Sequence, residues 1–265
     1  MTDYSLAMSD SEIRRYTMMA EHARSSEAEL WEVAGIVAGA VVADVGCGPA
    51  AISVCMAKVV GPSGRVIGIE PDPAALSTAQ RFIAQAGVEN VEIRQGSATD
   101  STLSPGSVDV AVMRLVLAHN QRTEQQMVDQ LAQLVRPGGS LYLVDIDGTA
   151  SRILDADPEL GDLHERYVQF QSARGNDLQV GLRLGQLIVG AGLKVVVHEG
   201  RYSIITPPPG VHPPAWAARE SMLADGIATA EDVARWGEAL DRMDHSAVRP
   251  TVFVANFVAI GRKDQ

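Results

Sequence analysis

Val41-Val42-Ala43-Asp44-Val45-Gly46-Cys47-Gly48-Pro49-Ala50 is the stretch that decides the fold, because a branched apolar run ends in an acid and passes into a glycine-rich turn. The apolar residues predict a buried strand that delivers its last residues into a nucleotide-shaped site. The two glycines permit positive φ and a close approach of the backbone to a ligand, which a Cβ would prevent. The ligand of this turn is therefore the central question.

Short β-branched segments alternate with longer amphipathic ones on both sides of this turn. This alternation is typical of an α/β fold, a doubly wound and mostly parallel sheet with helices on both faces. The predicted strands are 41–45, 65–69, 91–95, 108–113, 140–146, 193–198 or slightly longer, and 251–260. The predicted helices are 50–60, 73–87, 123–135 and 181–191.

Three segments fall outside this pattern, namely 1–35, 148–180 and 206–249. The third opens with prolines, which cannot continue a strand ladder, and then offers two amphipathic helices. Thr229, with Asp232 three residues on, would cap the second of them.

The composition narrows the class of partner. The chain has 265 residues, a formal net charge of -11 and two cysteines, Cys47 and Cys55, which indicate a reducing compartment and predict a cytoplasmic protein. An acidic chain without a Lys/Arg cluster is not expected to bind nucleic acid, and no apolar segment is long enough for membrane insertion. A small-molecule substrate is the default expectation.

The chemistry of the turn departs from that of a dinucleotide site. Counting from Gly46, the pattern is Gly46-x-Gly48-x-Ala50 rather than G-x-G-x-x-G, and Asp44 stands where a pyrophosphate would approach. An acid at that point repels a diphosphate and suits a cation. The expected ligand is nucleoside-like and carries an ammonium group.

Asp44, Gly46 and Gly48 together resemble motif I of the class I S-adenosylmethionine-dependent methyltransferases. The resemblance implies that Gly46, Cys47 and Gly48 contact the methionine end of S-adenosylmethionine. That family usually has a third glycine where this chain has Ala50, a change that should tighten the turn but spare its path.

The second strand adds a carboxylate at the spacing expected for a ribose contact. Glu70 follows Gly48 by 22 residues, near the ~20 expected for an acid that takes the ribose hydroxyls, whereas the alternative is a surface Glu at a strand end. Pro71 would then lie against the adenine. At the third strand, Ser97 and Ala98 stand where the family commonly has an acid and an alanine, so Ser97 is either a weaker adenine contact or a turn former.

Two further segments extend the resemblance over about residues 40–146. Leu134-Val135-Arg136-Pro137-Gly138-Gly139 matches the Leu-x-Pro-Gly-Gly turn of the same family. The chain is most similar to the subgroup of menaquinone and ubiquinone C-methyltransferases, which includes actinobacterial enzymes of secondary metabolism. Asp3-Tyr4-Ser5-Leu6 and Glu12-Ile13-Arg14-Arg15-Tyr16 look like its amino-terminal helix, so Tyr16 is expected either to bind the methionine carboxylate or to pack against its own helix.

His119 is the candidate catalytic residue because it lies just past the fourth strand, which borders the reaction centre in the resembling fold. Its ordinary pKa near 6.5 would let it accept a proton, although a capping or core histidine is the alternative. Tyr142 is a second candidate base. Arg114 either orients a carboxylate of the cofactor or substrate, or pairs with Asp44 or Asp145.

A metal site is not expected. Asp145 and Asp147 point to the same side of a strand and resemble a Mg²⁺ pair, but no third ligand in register is evident.

The resemblance implies seven strands with an antiparallel last strand. The segments 148–180 and 206–249 would then both begin at the carboxyl edge of the sheet, where the cofactor is expected to bind. We expect a domain over 36–265 with these two segments as a helical lid and 1–35 as an amino-terminal helical cap. The lid would enclose a small, largely apolar acceptor. The large side chains of the lid would either line the acceptor pocket or pack in the core; they are Tyr167, Phe170, Trp216, Met222 and Trp236.

The expected reaction is transfer of a methyl group from S-adenosylmethionine to an N, O or C nucleophile. Two alternatives stay open, an S-adenosylmethionine-binding cyclase or other non-methylating relative, and a nicotinamide-dependent oxidoreductase. The apolar helix faces of the lid could also serve a homodimer.

Overall fold

A seven-stranded sheet forms the centre of the computed structural model, which describes residues 10–265. Its strands are β1 (Val41–Val45), β2 (Arg65–Glu70), β3 (Val91–Gln95), β4 (Val108–Arg114), β5 (Val135–Leu154), β6 (Lys194–Ile205) and β7 (Thr251–Arg262). Their order across the sheet is β3-β2-β1-β4-β5-β7-β6.

The helices are α1 (Asp10–Ser26), α2 (Ala28–Ala34), α3 (Ala51–Val60), α4 (Pro73–Ala86), α5 (Glu124–Leu134), α6 (Pro158–Ala173), α7 (Leu184–Gly190), α8 (Pro214–Ala217), α9 (Arg219–Ala224) and α10 (Ala230–His245). Short 3-10 turns occur at Leu117–His119 and Val180–Arg183. Asp3-Tyr4-Ser5-Leu6, which carries part of the family resemblance, lies outside the described residues.

The strand directions confirm the predicted fold class. β1 to β5 pair in parallel, and β7 is antiparallel to both β5 and β6, between which it lies. Parallel neighbours end at one edge, so the residues that follow β1, β2 and β4 are brought together.

The fifth strand is longer than the predicted 140–146 at both ends. Val135 already pairs with Val108 ahead of the Pro-Gly-Gly turn, and beyond Asp147 a bulge leads to renewed pairing of Arg152 with Phe253. Residues 148–154 therefore belong to β5, and the predicted end of this strand at residue 146 was wrong. Together with the end of β6 and the start of β7, residues 148–154 form a ribbon. This ribbon continues past the edge of the sheet at which β1, β2 and β4 end.

The two faces of the sheet pack against different helices, as the alternation of a strand requires. On β4, Ala111 and Met113 join a core with α5, α6 and α7, whereas Val110 and Val112 join a core with α2 and α3. The predicted Thr229–Asp232 cap is present as a capping box at the start of α10.

No helix among residues 10–265 is both long enough and apolar enough to cross a bilayer.

Candidate functional site

The glycine turn after β1 has no room for a side chain at Gly46. Gly46 has a φ of 77°, and a Cβ built there would lie 2.5 Å from Cγ2 of Val116. Gly48 has a φ of 53°. The contact with Val116 also brings the turn after β1 against the segment that follows β4, so the two neighbouring strand ends share one site.

Ala50 has a backbone conformation that favours glycine. Its φ of 62° lies in the left-handed region, and it precedes the first residue of α3. That the substitution spares the path of the turn stays a prediction.

Asp44 is buried at the end of β1, beneath the turn. Its Oδ2 accepts a hydrogen bond from the Ser53 hydroxyl of α3. Burial raises the pKa of Asp44 to about 6; Ser53 opposes this shift and the nearby Glu70 adds to it. The carboxylate thus carries a costly negative charge that a cation above the turn would stabilise.

Glu70 faces the turn from the end of β2. Its Oε2 accepts from the Gly48 amide at 2.9 Å and its Oε1 accepts from the Asp72 amide at 3.0 Å. These two bonds hold the carboxylate in one orientation and leave lone pairs on both oxygens for a further donor pair. Burial raises the pKa of Glu70 above its ordinary value.

The expected adenine end is more open. Pro71 is exposed beside Glu70, and Ala98 is buried. The Ser97 hydroxyl accepts from the Asp100 amide at 3.1 Å and lies 3.2 Å from the Thr99 hydroxyl. Ser97 is thus a turn former in this structure, which was one of its two expected roles.

Tyr16 contacts the glycine turn from α1, and Cys47 lies within the turn. Tyr16 of α1 approaches it closely, since its Cε1 would be 3.9 Å from a Cβ on Gly48. Tyr16 also packs on the core that contains Ala20, and the Arg15 guanidinium lies 5.0 Å from its ring centre. Cys47 is buried, and burial raises the pKa of its thiol, so it packs as a neutral group.

Arg114 pairs with a residue that the sequence interpretation did not consider. Its Nη1 donates to both oxygens of Glu27, at 2.8 and 2.9 Å, rather than pairing with Asp44 or Asp145. The Tyr142 hydroxyl donates to Glu27 Oε2 at 2.7 Å. Burial, followed by the charge of Glu27, raises the pKa of Tyr142, so the proposed role of Tyr142 as a base was wrong.

One signal could have revealed Glu27. It precedes Leu30, Trp31 and Ala34 at helical spacing, and all three are buried, so Glu27 lies on the buried side of the α1–α2 junction. A carboxylate on such a face needs a cationic or donor partner.

His119 ends the 3-10 turn after β4. Burial lowers its pKa to about 4, the neighbouring Gln171 side chain opposes this, and the positive charge of Arg15 lowers it further. Its Nδ1 is a buried atom without a hydrogen-bond partner among the described residues. The imidazole is therefore neutral at physiological pH, and its ring nitrogen that lacks a proton can accept a hydrogen bond.

The predicted lid residues are mostly core. Tyr167, Phe170, Met222 and Trp236 are buried in the same cluster as Leu117 and Ala118, whereas Trp216 is half-buried beneath Arg219. The α6 helix thus packs directly on the turn that carries His119.

The two strand carboxylates have structural partners. Asp145 accepts from the amides of Ile146 and Ala118, and Asp147 accepts from Thr149 and Ala150. Within the described part of the chain, no group of three or more His, Cys, Asp or Glu side chains could hold a metal ion.

A family model described as a methyltransferase domain matches residues 36–178, just over half of the chain. The chain belongs to this methyltransferase family. The assignment confirms the resemblance to a methyltransferase family found in the sequence.

Two curated relatives are methyltransferases by name. An arsenite methyltransferase of Halobacterium salinarum is 34% identical over 118 residues, which cover 44% of this chain and 30% of the relative. A demethylmenaquinone methyltransferase of Listeria monocytogenes is 30% identical over 107 residues, covering 40% of this chain and 45% of the relative. The chain spans less than half the length of the curated relatives it matches.

Solved structures share the fold at low identity. A SAM-dependent methyltransferase of Aquifex aeolicus superposes with a TM-score of 0.54 at 14% identity, covering 95% of this chain and 98% of the other. The [4+2]-cyclase SpnF superposes with a TM-score of 0.55 at 15% identity, covering 91% of this chain and 81% of the other.

Proposed function

We propose that this methyltransferase transfers a methyl group from S-adenosylmethionine to a nucleophile of a small, largely apolar molecule, as part of a biosynthetic pathway of secondary metabolism. The observation that carries the proposal is the pairing of Glu70 with the glycine turn. Its carboxylate is fixed by the Gly48 amide and faces a turn in which Gly46 has no room for a Cβ and both glycines have positive φ. This geometry suits a nucleoside whose ribose diol donates to Glu70.

The charges at this edge support a cationic ligand. Asp44 and Glu70 are both buried carboxylates, and the charge of each disfavours ionisation of the other. S-adenosylmethionine brings an ammonium and a sulfonium group, and both would offset this negative charge. Tyr16, Cys47, Pro71, Ser97 and Ala98 are proposed as the remaining contacts, and Arg114 acts on the site through its charge while held by Glu27.

The bound sulfonium supplies an activated methyl group, so the protein has to align the acceptor and exclude water. The segment 1–35 and the two segments after β5 and β6 are proposed as the cover. Arg14 of α1 donates to the Gly210 carbonyl at 3.0 Å, which ties two of these segments together. His119 would accept a proton from an acceptor that arrives protonated.

Calorimetric titration tests the cofactor site. Glu70→Ala and Asp44→Ala should each weaken S-adenosylmethionine binding by at least about tenfold, because each loses a charge-assisted contact. Glu92→Ala removes a carboxylate of β3 whose side chain is 50% exposed, and it should bind normally. Unchanged affinity in both site variants would refute the proposed site.

The likeness to SpnF favours one alternative, a protein that binds the cofactor and catalyses cyclisation instead of methyl transfer. Methyl-labelled S-adenosylmethionine separates the two. Label in an acceptor supports the transferase, whereas tight cofactor binding with no label in any product supports the alternative.

We propose a cytoplasmic location and a homodimer as well. Both cysteines are free and buried, which suits a reducing compartment. Light scattering of the purified protein would decide its oligomeric state.

A further inference from the structure

A cluster of buried polar groups lies between α6 and the turn that ends in His119. Gln171 is fully buried, and its Nε2 has no hydrogen-bond partner among the described residues. Nδ1 of His119 is in the same situation. Tyr167 lies one helical turn before Gln171 on α6, and its hydroxyl interacts with the Gln171 amide.

The orientation of the Gln171 amide is set by its neighbours. The backbone N–H of Gln121 donates to Asn176 Oδ1 at 3.0 Å. The other polar atom of the Asn176 side chain is therefore Nδ2, which is a donor. That Nδ2 donates to Gln171 Oε1 at 2.6 Å. Gln171 therefore has to present its NH₂ group, a donor, towards the cluster.

The three groups together define a chemical requirement. Gln171 offers a donor, and Tyr167 keeps its proton because burial raises the pKa of its hydroxyl. Neutral His119 can accept through Nδ1. A carboxylate or carbonyl cannot donate to His119, and an ammonium cannot accept from Gln171, whereas a hydroxyl does both.

The remaining surroundings are apolar side chains and one ion pair, Arg15–Glu12. Leu117, Leu163 and Phe170 belong to the core next to the cluster. Arg15 of α1 acts on it electrostatically, but its Nε donates to Glu12 Oε2 at 3.0 Å, so its charge is paired. The cluster thus suits a neutral polar group on an apolar molecule.

The cluster also lies next to the proposed methyl donor. Val116, three residues before His119, touches the turn at Gly46. The methionine end of a cofactor over that turn would lie beside the His119 segment.

We propose that His119, Tyr167 and Gln171 form the polar end of the acceptor site, and that the methyl acceptor is a neutral hydroxyl of a phenol or enol. This deepens the proposed function and rests on it. The hydroxyl proton passes to His119 Nδ1 while an oxygen lone pair forms the bond to the methyl carbon. The carbon–sulfur bond breaks, its electron pair stays on sulfur, and the products are a methyl ether, S-adenosylhomocysteine and an imidazolium that returns its proton to water.

Three probes of one shape test this proposal on protein saturated with S-adenosylhomocysteine. The probes are 2-naphthol, naphthalene and 2-naphthoate, and their binding is measured by calorimetry. We expect 2-naphthol to bind about tenfold more tightly than naphthalene, because it gains hydrogen bonds that naphthalene cannot make. The anion should bind most weakly. With labelled S-adenosylmethionine, label should appear in 2-methoxynaphthalene.

Two variants change the cluster in different ways. Gln171→Met removes the NH₂ donor and keeps a side chain of similar size. Asn176→Asp replaces a donor by an acceptor, so the Gln171 amide should rotate and present its oxygen to the cluster instead of its NH₂ group. Both should erase the preference for 2-naphthol while S-adenosylhomocysteine affinity stays unchanged. Ser172→Ala, on the exposed side of α6, should keep the preference.

The outcomes separate this proposal from the one it rests on. Equal affinity for 2-naphthol and naphthalene, tightest binding of 2-naphthoate, or binding of none of the three to the S-adenosylhomocysteine complex would overturn the hydroxyl assignment alone. Failure of the protein to bind S-adenosylhomocysteine would instead overturn the proposed function.

Discussion

At the scale of single residues, the turn after β1 combines two kinds of constraint. Gly46 is required by its neighbour, since any Cβ would meet Val116, whereas Ala50 carries a conformation that its own Cβ disfavours. A left-handed non-glycine residue costs roughly 1–2 kcal/mol. Strain of this kind is often found at binding turns.

We expect Ala50→Gly to be less destabilising than Ala51→Gly by about 1–2 kcal/mol. Both changes remove a buried methyl group and loosen the unfolded chain, but only Ala50 has a positive φ, so only its variant relieves strain. Urea unfolding of the two variants gives the difference. Equal loss of stability would show that the turn holds Ala50 without strain.

At the scale of elements, α10 depends on its first turn. The Asp232 amide donates to the Thr229 hydroxyl at 3.1 Å, and the Thr229 amide donates to Asp232 Oδ2 at 2.9 Å. The bonds that the Thr229 amide and the Thr229 hydroxyl donate to the Asp232 carboxylate lower its pKa to about 2. The two bonds donated by the amides satisfy backbone groups that the start of a helix leaves without partners.

Thr229→Ala should lower the free energy of unfolding by about 1 kcal/mol, because it removes the side-chain cap. Thr229→Ser keeps the hydroxyl and should lose much less. Thermal unfolding compares the two variants, and hydrogen exchange should show earlier opening of α10 in the alanine variant. Equal stability of both variants would mean that the cap contributes little.

At the scale of the whole molecule, two buried carboxylates favour stability at low pH, whereas His119, whose pKa burial lowers to about 4, acts in the opposite direction. Burial raises the pKa of Asp44 to about 6 and that of Asp145 to about 7, from an ordinary value of 3.8. The folded state therefore binds these protons more tightly than the unfolded chain does. Ionisation above pH 7 destabilises the fold, and this cost disappears as the pH falls towards 4.

We expect Asp44 alone to make the ligand-free protein more stable at pH 5 than at pH 8, by on the order of 1–1.5 kcal/mol. S-adenosylmethionine affinity should change in the opposite direction and fall below pH 6, because protonated Asp44 no longer attracts a cation. Urea unfolding and calorimetry at both pH values measure the two effects. Asp44→Asn should flatten both profiles, and an unchanged profile in that variant would contradict the assignment.

The features that could be predicted from the sequence are those set by residues close together in the chain. The turn at Gly46, the acid at Glu70 and the mostly parallel sheet were predicted because each rests on local chemistry or on the alternation of strands and helices along the chain. The fold and family were confirmed in full. The roles of individual site residues stay predictions.

Long-range pairs were missed. Glu27 reaches Arg114 across 87 positions, and Gln171 faces His119 only because α6 packs on the turn after β4. The extension of β5 was missed because residues 148–152 are small or polar, and their strand pairing is set by β7 rather than by their own propensity.

The ribbon built from residues 148–154 and the ends of β6 and β7 bears on how new acceptors could be accommodated. It carries the connections to α6 and to α8–α10 beyond the edge where Glu70 and the glycine turn lie. Insertions or exchanges in those helices can reshape the acceptor end while the nucleoside end keeps its backbone. A designer wishing to redirect this fold would graft at Asp155 and Pro207, and leave everything before Asp147 untouched.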